Sequence, residues 1–242
     1  MVDAPRVVVT RRAEQAGHFC GLLRAAGFTP VRFPVIQLQA LPGAGLDAAL
    51  ADLKRFAWLI FSSSNAVDFF FERAGDVGAA VLGPRIAAVG PATAQRLRRY
   101  QVEVDFVPQR YTGEFLAAGL GDLEGQEVLI PRARQGRPEL VATLRDQGAM
   151  VTEVALYDTV TAVPELKGLN SLSEGYEAVT FASPSSVRGF LQICGQVEPD
   201  AVVACIGPVT AAAAQKAGLK VTIVPDEYTL EGLVDSLVRY YG

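Results

Sequence analysis

The chain has 242 residues, half of them apolar and a fifth charged, the make-up of a folded protein with one large domain or two ordinary ones. Its formal charge of −4 gives no overall basic field to draw in nucleic acid, so an anionic ligand would have to be held by local groups. The opening Met1-Val2-Asp3-Ala4-Pro5-Arg6 lacks the apolar core of a signal peptide, and no apolar run approaches the roughly 18 residues of a membrane span, so a cytoplasmic protein is expected.

Short β-branched runs alternate with helical stretches from end to end. Strands are predicted at Arg6–Thr10, Thr29–Phe33, Phe56–Ser62, Arg85–Gly90 and Glu103–Val107. Five more are predicted at Glu127–Pro131, Met150–Ala155, Glu177–Ala182, Ala201–Ile206 and Lys220–Val224. Most are apolar nearly throughout, as parallel strands covered on both faces are. The stretches between them carry spaced apolar residues, as Phe19, Leu22, Leu23 and Ala26 do after the first strand. This alternation predicts an α/β fold with two five-stranded parallel sheets.

The same order of elements contains an internal repeat. Gly90-Pro91-Ala92-Thr93-Ala94 returns 117 residues later as Gly207-Pro208-Val209-Thr210-Ala211. At the same offset Tyr111-Thr112-Gly113-Glu114 returns as Tyr228-Thr229-Leu230-Glu231. Phe61-Ser62-Ser63-Ser64-Asn65-Ala66-Val67 pairs with Phe181-Ala182-Ser183-Pro184-Ser185-Ser186-Val187, and Val9-Thr10-Arg11 with Ile130-Pro131-Arg132. The chain is therefore a tandem duplication, and two similar lobes facing each other would offer a cleft for a small molecule.

Several chemistries are set aside by what is missing from the sequence. His18 is the one histidine and sits in a predicted helix, where a surface or packing role is the plainer expectation. Cys20, Cys194 and Cys205 are scattered without a CxxC pair, which suits reduced thiols and leaves no His/Cys zinc site. There is no GxxxxGK[ST] loop, and no GxGxxG follows a strand. An enzyme built on this chain is expected to need no cofactor and no metal.

Each repeated motif follows a strand, where open α/β sheets take their ligands. Ser63, Ser64 and Asn65 in one half, and Ser183 and Ser185 in the other, can cap the next helix or meet a carboxylate with hydroxyls and free amides. Gly90 and Gly207 allow close approach of the backbone to a ligand, while Thr93 and Thr210 open helices by capping or by ligand contact. Arg11 and Arg132 stand at equivalent corners, placed either to grip a carboxylate or to form a surface salt bridge.

Val9-Thr10-Arg11, Trp58 to Val67, Ala88 to Ala94, Ala155-Leu156-Tyr157-Asp158-Thr159, Phe181 to Pro184 and Ile206 to Ala211 resemble, in this order and spacing, the uroporphyrinogen-III synthase family. The resemblance covers essentially the whole chain. It implies two lobes, each a five-stranded parallel sheet flanked by helices (flavodoxin-like), joined by a two-stranded hinge. It also implies that the lobes exchange parts: 1–36 with 163–242, and 42–157, with linkers at about 37–41 and 158–162. The repeat alone suggests instead a cut near residue 121.

The implied activity is that of a cofactor-free lyase of haem and sirohaem biosynthesis. It cyclises hydroxymethylbilane to uroporphyrinogen III, inverting ring D through a spirocyclic pyrrolenine. Tyr157 matches a family tyrosine and would give a proton to the departing hydroxyl, its alternative being an aromatic packed at a strand end. Thr93, Thr210, Ser63 and Ser183 would hold carboxylates or pyrrole groups. Asn65 stands where some members carry a basic residue, which argues against charge-based binding there. The implied partners are the small-molecule substrate and, transiently, neighbouring enzymes of tetrapyrrole synthesis, with no nucleic acid and no membrane. The rival is a non-catalytic two-lobed tetrapyrrole-binding or sensing protein of the same fold, which fold alone does not exclude.

Overall fold

A computed structural model describes residues 4–75, 83–136 and 138–242. From the amino end its elements are β1 Arg6–Val9, α1 Ala13–Ala25, β2 Thr29–Arg32, β3 Ile36–Ala40, α2 Ala44–Ala51, β4 Trp58–Phe61, α3 Ser64–Ala74, β5 Arg85–Ala88 and α4 Pro91–Arg99. There follow α5 Gly113–Gly119, β6 Glu127–Ala133, α6 Glu139–Asp146, β7 Met150–Thr161 and α7 Leu166–Ser173. The chain closes with β8 Ala178–Phe181, α8 Pro184–Cys194, β9 Val202–Cys205, α9 Pro208–Lys216 and α10 Leu230–Tyr241. None of these helices is long and apolar enough to cross a membrane.

Two compact units divide the chain. Unit 1 is Met1–Gln37 with Thr159–Gly242, and unit 2 is Leu38–Asp158. Residue 121 lies inside unit 2, so the cut suggested by the repeat alone is not how the chain divides. Residues 1–3 of the expected first lobe lie outside the described residues. Each passage from one unit to the other runs through a strand, β3 or β7, and these two are neighbours in one sheet.

Unit 1 holds a sheet ordered β2-β1-β8-β9, with every pair parallel. β1, β8 and β9 are buried on both faces, which explains their nearly unbroken apolar sequence, while the edge strand β2 is largely exposed. Val7 and Val9 pack with Phe19 and Leu23 of α1 and Leu233 and Leu237 of α10. Val8, Val179 and Val203 point the other way, toward Val187 and Phe190 of α8 and Ala211 and Ala214 of α9. In unit 2 the sheet order is β3-β7-β6-β4-β5. Leu59, Phe61 and Leu129 face α3 and α4, while Trp58, Ile60, Val128 and Ile130 face α5 and α6.

Two predicted strands shrink to single bridges. Glu103–Val107 contributes only Phe106, paired with Ala87, and Lys220–Val224 only Ile223, paired with Ala204. The cause is the same in both. Phe106 N–H donates to Ile86 O, and Ile223 N–H to Val203 O. In a parallel ladder the next donor lies two residues on, and there the chain has Pro108 and Pro225, which carry no N–H. The expectation of five full strands per sheet is corrected accordingly: unit 1 has four and an edge bridge.

β7 departs from expectation in the other direction. Predicted to stop at Ala155, it continues to Thr161. Its ladder with β6 is regular from Glu127↔Met150 to Arg132↔Ala155, then slips so that Ala133 faces Tyr157. Leu156 is the extra residue of this bulge, so Leu156 and Tyr157 are both buried where an even strand would bury one of them.

Candidate active site

In unit 2 the candidate residues gather at the carboxyl ends of β4, β5, β6 and β7. Beyond them lies a cavity of about 530 Å³ lined by Ser62, Ser63, Tyr111, Thr112, Glu114, Arg132, Gln135, Glu139 and Tyr157, among others. Of the residues expected from sequence, Ser63, Arg132 and Tyr157 meet here. Ser64, Asn65, Gly90 and Thr93 belong to the same unit but do not line the cavity.

The β7 bulge and helix α3 place Tyr157 between them. Its ring stacks on Phe69 with centroids 4.8 Å apart and planes 17° apart, and its backbone carbonyl accepts from Arg134 N–H at 2.9 Å. Its hydroxyl lies 3.2 Å from Ser63 Oγ. Ser63 also caps α3, its Oγ accepting the Ala66 N–H at 3.1 Å. A serine hydroxyl has one proton and two lone pairs. With one lone pair taken by Ala66, Ser63 can still donate to Tyr157 Oη, which leaves the phenol proton free to point elsewhere. Packing and proton donation are thus compatible roles for this tyrosine.

Arg132 is already engaged. Its Nη1 donates to Glu153 Oε2 at 2.8 Å, and Arg145 shares that carboxylate at 3.0 Å. The guanidinium lies on Gly136, where a Cβ would come within 2.4 Å of Nε. The salt bridge weighed from sequence is therefore present at Arg132, which still borders the cavity.

Unit 1 repeats the arrangement with differences. Arg11, at the corner after β1, has a buried Nε without a hydrogen-bond partner. Burial, and to a lesser degree the neighbouring Arg12, lower its pKa from the usual arginine value. Ser183 caps α8 in a reciprocal box: its Oγ accepts Ser186 N–H and its N–H donates to Ser186 Oγ, both at 3.2 Å. Ser185 is the second residue of that helix. Gly207 opens α9, and Thr210 is buried within its first turn, as Thr93 is in α4. His18 is exposed and 3.0 Å from Glu231, a surface contact.

The side chain packed beside Gly90 is that of Tyr111, and beside Gly207 that of Tyr228. Sequence reasoning saw these tyrosines in the repeat without treating them as site residues, and it passed over Phe69. Their duplication was the available signal for the tyrosines. Phe69 had none, because it is defined only by what it stacks on.

The caps yield a simple expectation. Ser63→Ala and Ser183→Ala should each lower stability by about 0.5–2 kcal/mol in chemical unfolding. Unchanged midpoints would show that neither cap stabilises its helix.

A family model described as Uroporphyrinogen-III synthase HemD matches residues 18–235. The uroporphyrinogen-III synthase of Synechococcus elongatus is 32% identical, over 97% of this chain and 94% of its own. The porphyrin biosynthesis protein HemD of Ruminiclostridium josui is 30% identical over 98% of this chain, which spans about half of that protein (49%). The solved structure of a uroporphyrinogen-III synthetase from Helicobacter pylori aligns with a TM-score of 0.69 at 18% identity, covering 98% of this chain and 99% of that one, so the two share a fold.

Proposed function

The chain belongs to the uroporphyrinogen-III synthase family, and we propose that this enzyme of tetrapyrrole biosynthesis closes linear hydroxymethylbilane into uroporphyrinogen III with ring D inverted. Loss of the substrate's hydroxyl as water leaves an electrophilic azafulvene at one end. The substituted carbon of ring D attacks it to give a spirocyclic pyrrolenine, which fragments and recloses with ring D turned round. Free bilane closes without inversion, so the protein's task is to impose a conformation, and orientation of this kind can contribute about 7–11 kcal/mol.

Tyr157 is the proton donor to the departing hydroxyl. The observation that carries this role is its Oη, 3.2 Å from a serine that can hold it as acceptor, on the wall of a cavity at the strand ends. Arg11, with its unpartnered Nε, suits a substrate carboxylate in unit 1. Helices α4 and α9 begin at glycines with no side-chain cap, and their first-turn amides, with Thr93 and Thr210, suit further carboxylates. Ser63, Ser64, Asn65 and Arg132 line or flank the site in unit 2, as Ser183, Ser185 and Gly207 do in unit 1. On this reading units 1 and 2 are the family's two lobes. Unit 1, with four parallel strands and an edge bridge, and unit 2, with five strands and an edge bridge, suit the flavodoxin-like lobes. Three free thiols suit a reducing cytoplasm.

The test is incubation with freshly generated hydroxymethylbilane and isomer analysis of the oxidised porphyrin. Type III is the expected product. Tight product binding with only type I isomer formed would favour the non-catalytic binding protein. The same assay after exhaustive chelation and dialysis should give full activity, because the chain has one His and three unclustered Cys. A loss that zinc or magnesium restores would overturn the cofactor-free mechanism.

A further inference from the structure

Tyr111 and Tyr228 occupy the same place in the two copies of the repeat, and each is 61% exposed. Both are pinned at the base. A Cβ on Gly90 would lie 3.5 Å from Tyr111 Cβ and 3.6 Å from its Cγ, and one on Gly207 would lie 3.3 Å from Tyr228 Cγ. The two glycines have extended backbones, φ −158° and −175°, which any residue adopts. A Cβ would press on the ring at Gly207 and would meet Tyr111 at ordinary contact distance at Gly90, so the base of each tyrosine rests against its glycine without any special backbone conformation.

Other aromatics of unit 2 have their faces covered. Tyr100 stacks on Phe71 at 4.7 Å, Tyr157 on Phe69 at 4.8 Å, and the Arg110 guanidinium lies 4.9 Å over Phe115. Among the described residues no ring or guanidinium is stacked on Tyr111 or Tyr228. Tyr111 instead borders the cavity that also holds Ser63, Arg132 and Tyr157. An aromatic fixed at its base and bare on its face, repeated in both copies beside an uncapped helix start, matches a flat ring that carries a carboxylate.

We propose that Tyr111 is the ring-binding face of the unit 2 cavity, taking one pyrrole of the tetrapyrrole by stacking, and that Tyr228 does the same in unit 1. This rests on the functional reading above and deepens it.

The test compares kcat and KM for type III formation in Tyr111→Ser, Tyr111→Leu, Tyr111→Phe and Tyr228→Ser. Tyr240→Ser serves as control, an exposed tyrosine on α10. Loss of the ring should raise KM roughly 2- to 12-fold with kcat little changed. Tyr111→Phe should return KM to the parental value, and Tyr240→Ser should not move it. Tyr111→Leu fills the place of the ring without a π face, so it should be as defective as Ser while retaining packing. A parental KM in both Tyr111→Ser and Tyr111→Leu overturns the proposal and leaves the activity standing. Tyr111→Phe as defective as Tyr111→Ser also overturns it, since the hydroxyl and not the ring would then matter. A parent that forms no type III isomer overturns the functional reading, and this proposal with it.

Discussion

Tyr157→Phe is expected to fold like the parent and to form type III isomer about 10²-fold more slowly, the lower end of the range for general-acid assistance. The substitution removes one oxygen and keeps the ring, so the stack on Phe69 survives. Water or Ser63, 3.2 Å away, can partly replace the lost proton, which sets the effect at the lower end. Unbound bilane still closes by itself, so type I isomer should accumulate in place of type III. Leu156→Ala is the control: Leu156 is the buried extra residue of the β7 bulge, and its loss should cost stability more than chemistry. A parental rate in Tyr157→Phe at equal folded fraction would reduce this tyrosine to packing. Catalysis would then rest on amides and conformational control.

The second large effect concerns residues far apart in the chain. Phe33 follows β2 and Phe190 lies in α8, yet their rings meet edge to face at 6.0 Å, with Phe181 a further 5.7 Å from Phe190. All three are essentially buried. Phe190→Ala should lower stability by about 3–5 kcal/mol, through lost transfer energy and the cavity left behind. Phe33→Ala should destabilise as well. The double variant should fall short of the sum of the singles by about 0.5–3 kcal/mol, as residues in contact do. Strict additivity in denaturant unfolding would mean that the amino-terminal segment does not share a core with α8.

Much of this molecule is local and could be read along the chain. Alternation of apolar runs such as Trp58–Phe61 with helical spacing needs only neighbouring residues, and it identifies an α/β protein whose strands are covered on both sides. The duplication was equally visible, and with it the paired sites where Ser63 and Ser183 cap α3 and α8. Even the shortened edges were written in Pro108 and Pro225, although their meaning depends on which neighbour lacks the donor. The family followed from the order of motifs that are individually weak.

What the chain order alone did not decide is everything set by pairing at a distance. The β7 bulge depends on the register between Arg132-Ala133 and Ala155 to Tyr157, and no rule of alternation along one strand contains it. That register, and not the identity of Tyr157, is what buries the ring against Phe69 and brings its hydroxyl to Ser63. Arg132 looked equivalent to Arg11 in the repeat. Only the fold supplies Glu153 to one and leaves the Nε of the other unpartnered, because β7 brings a carboxylate beside β6. The sequence by itself determined which elements form and which residues could do chemistry. Which of them share a cavity was decided by contacts between segments that meet only when the sheet assembles.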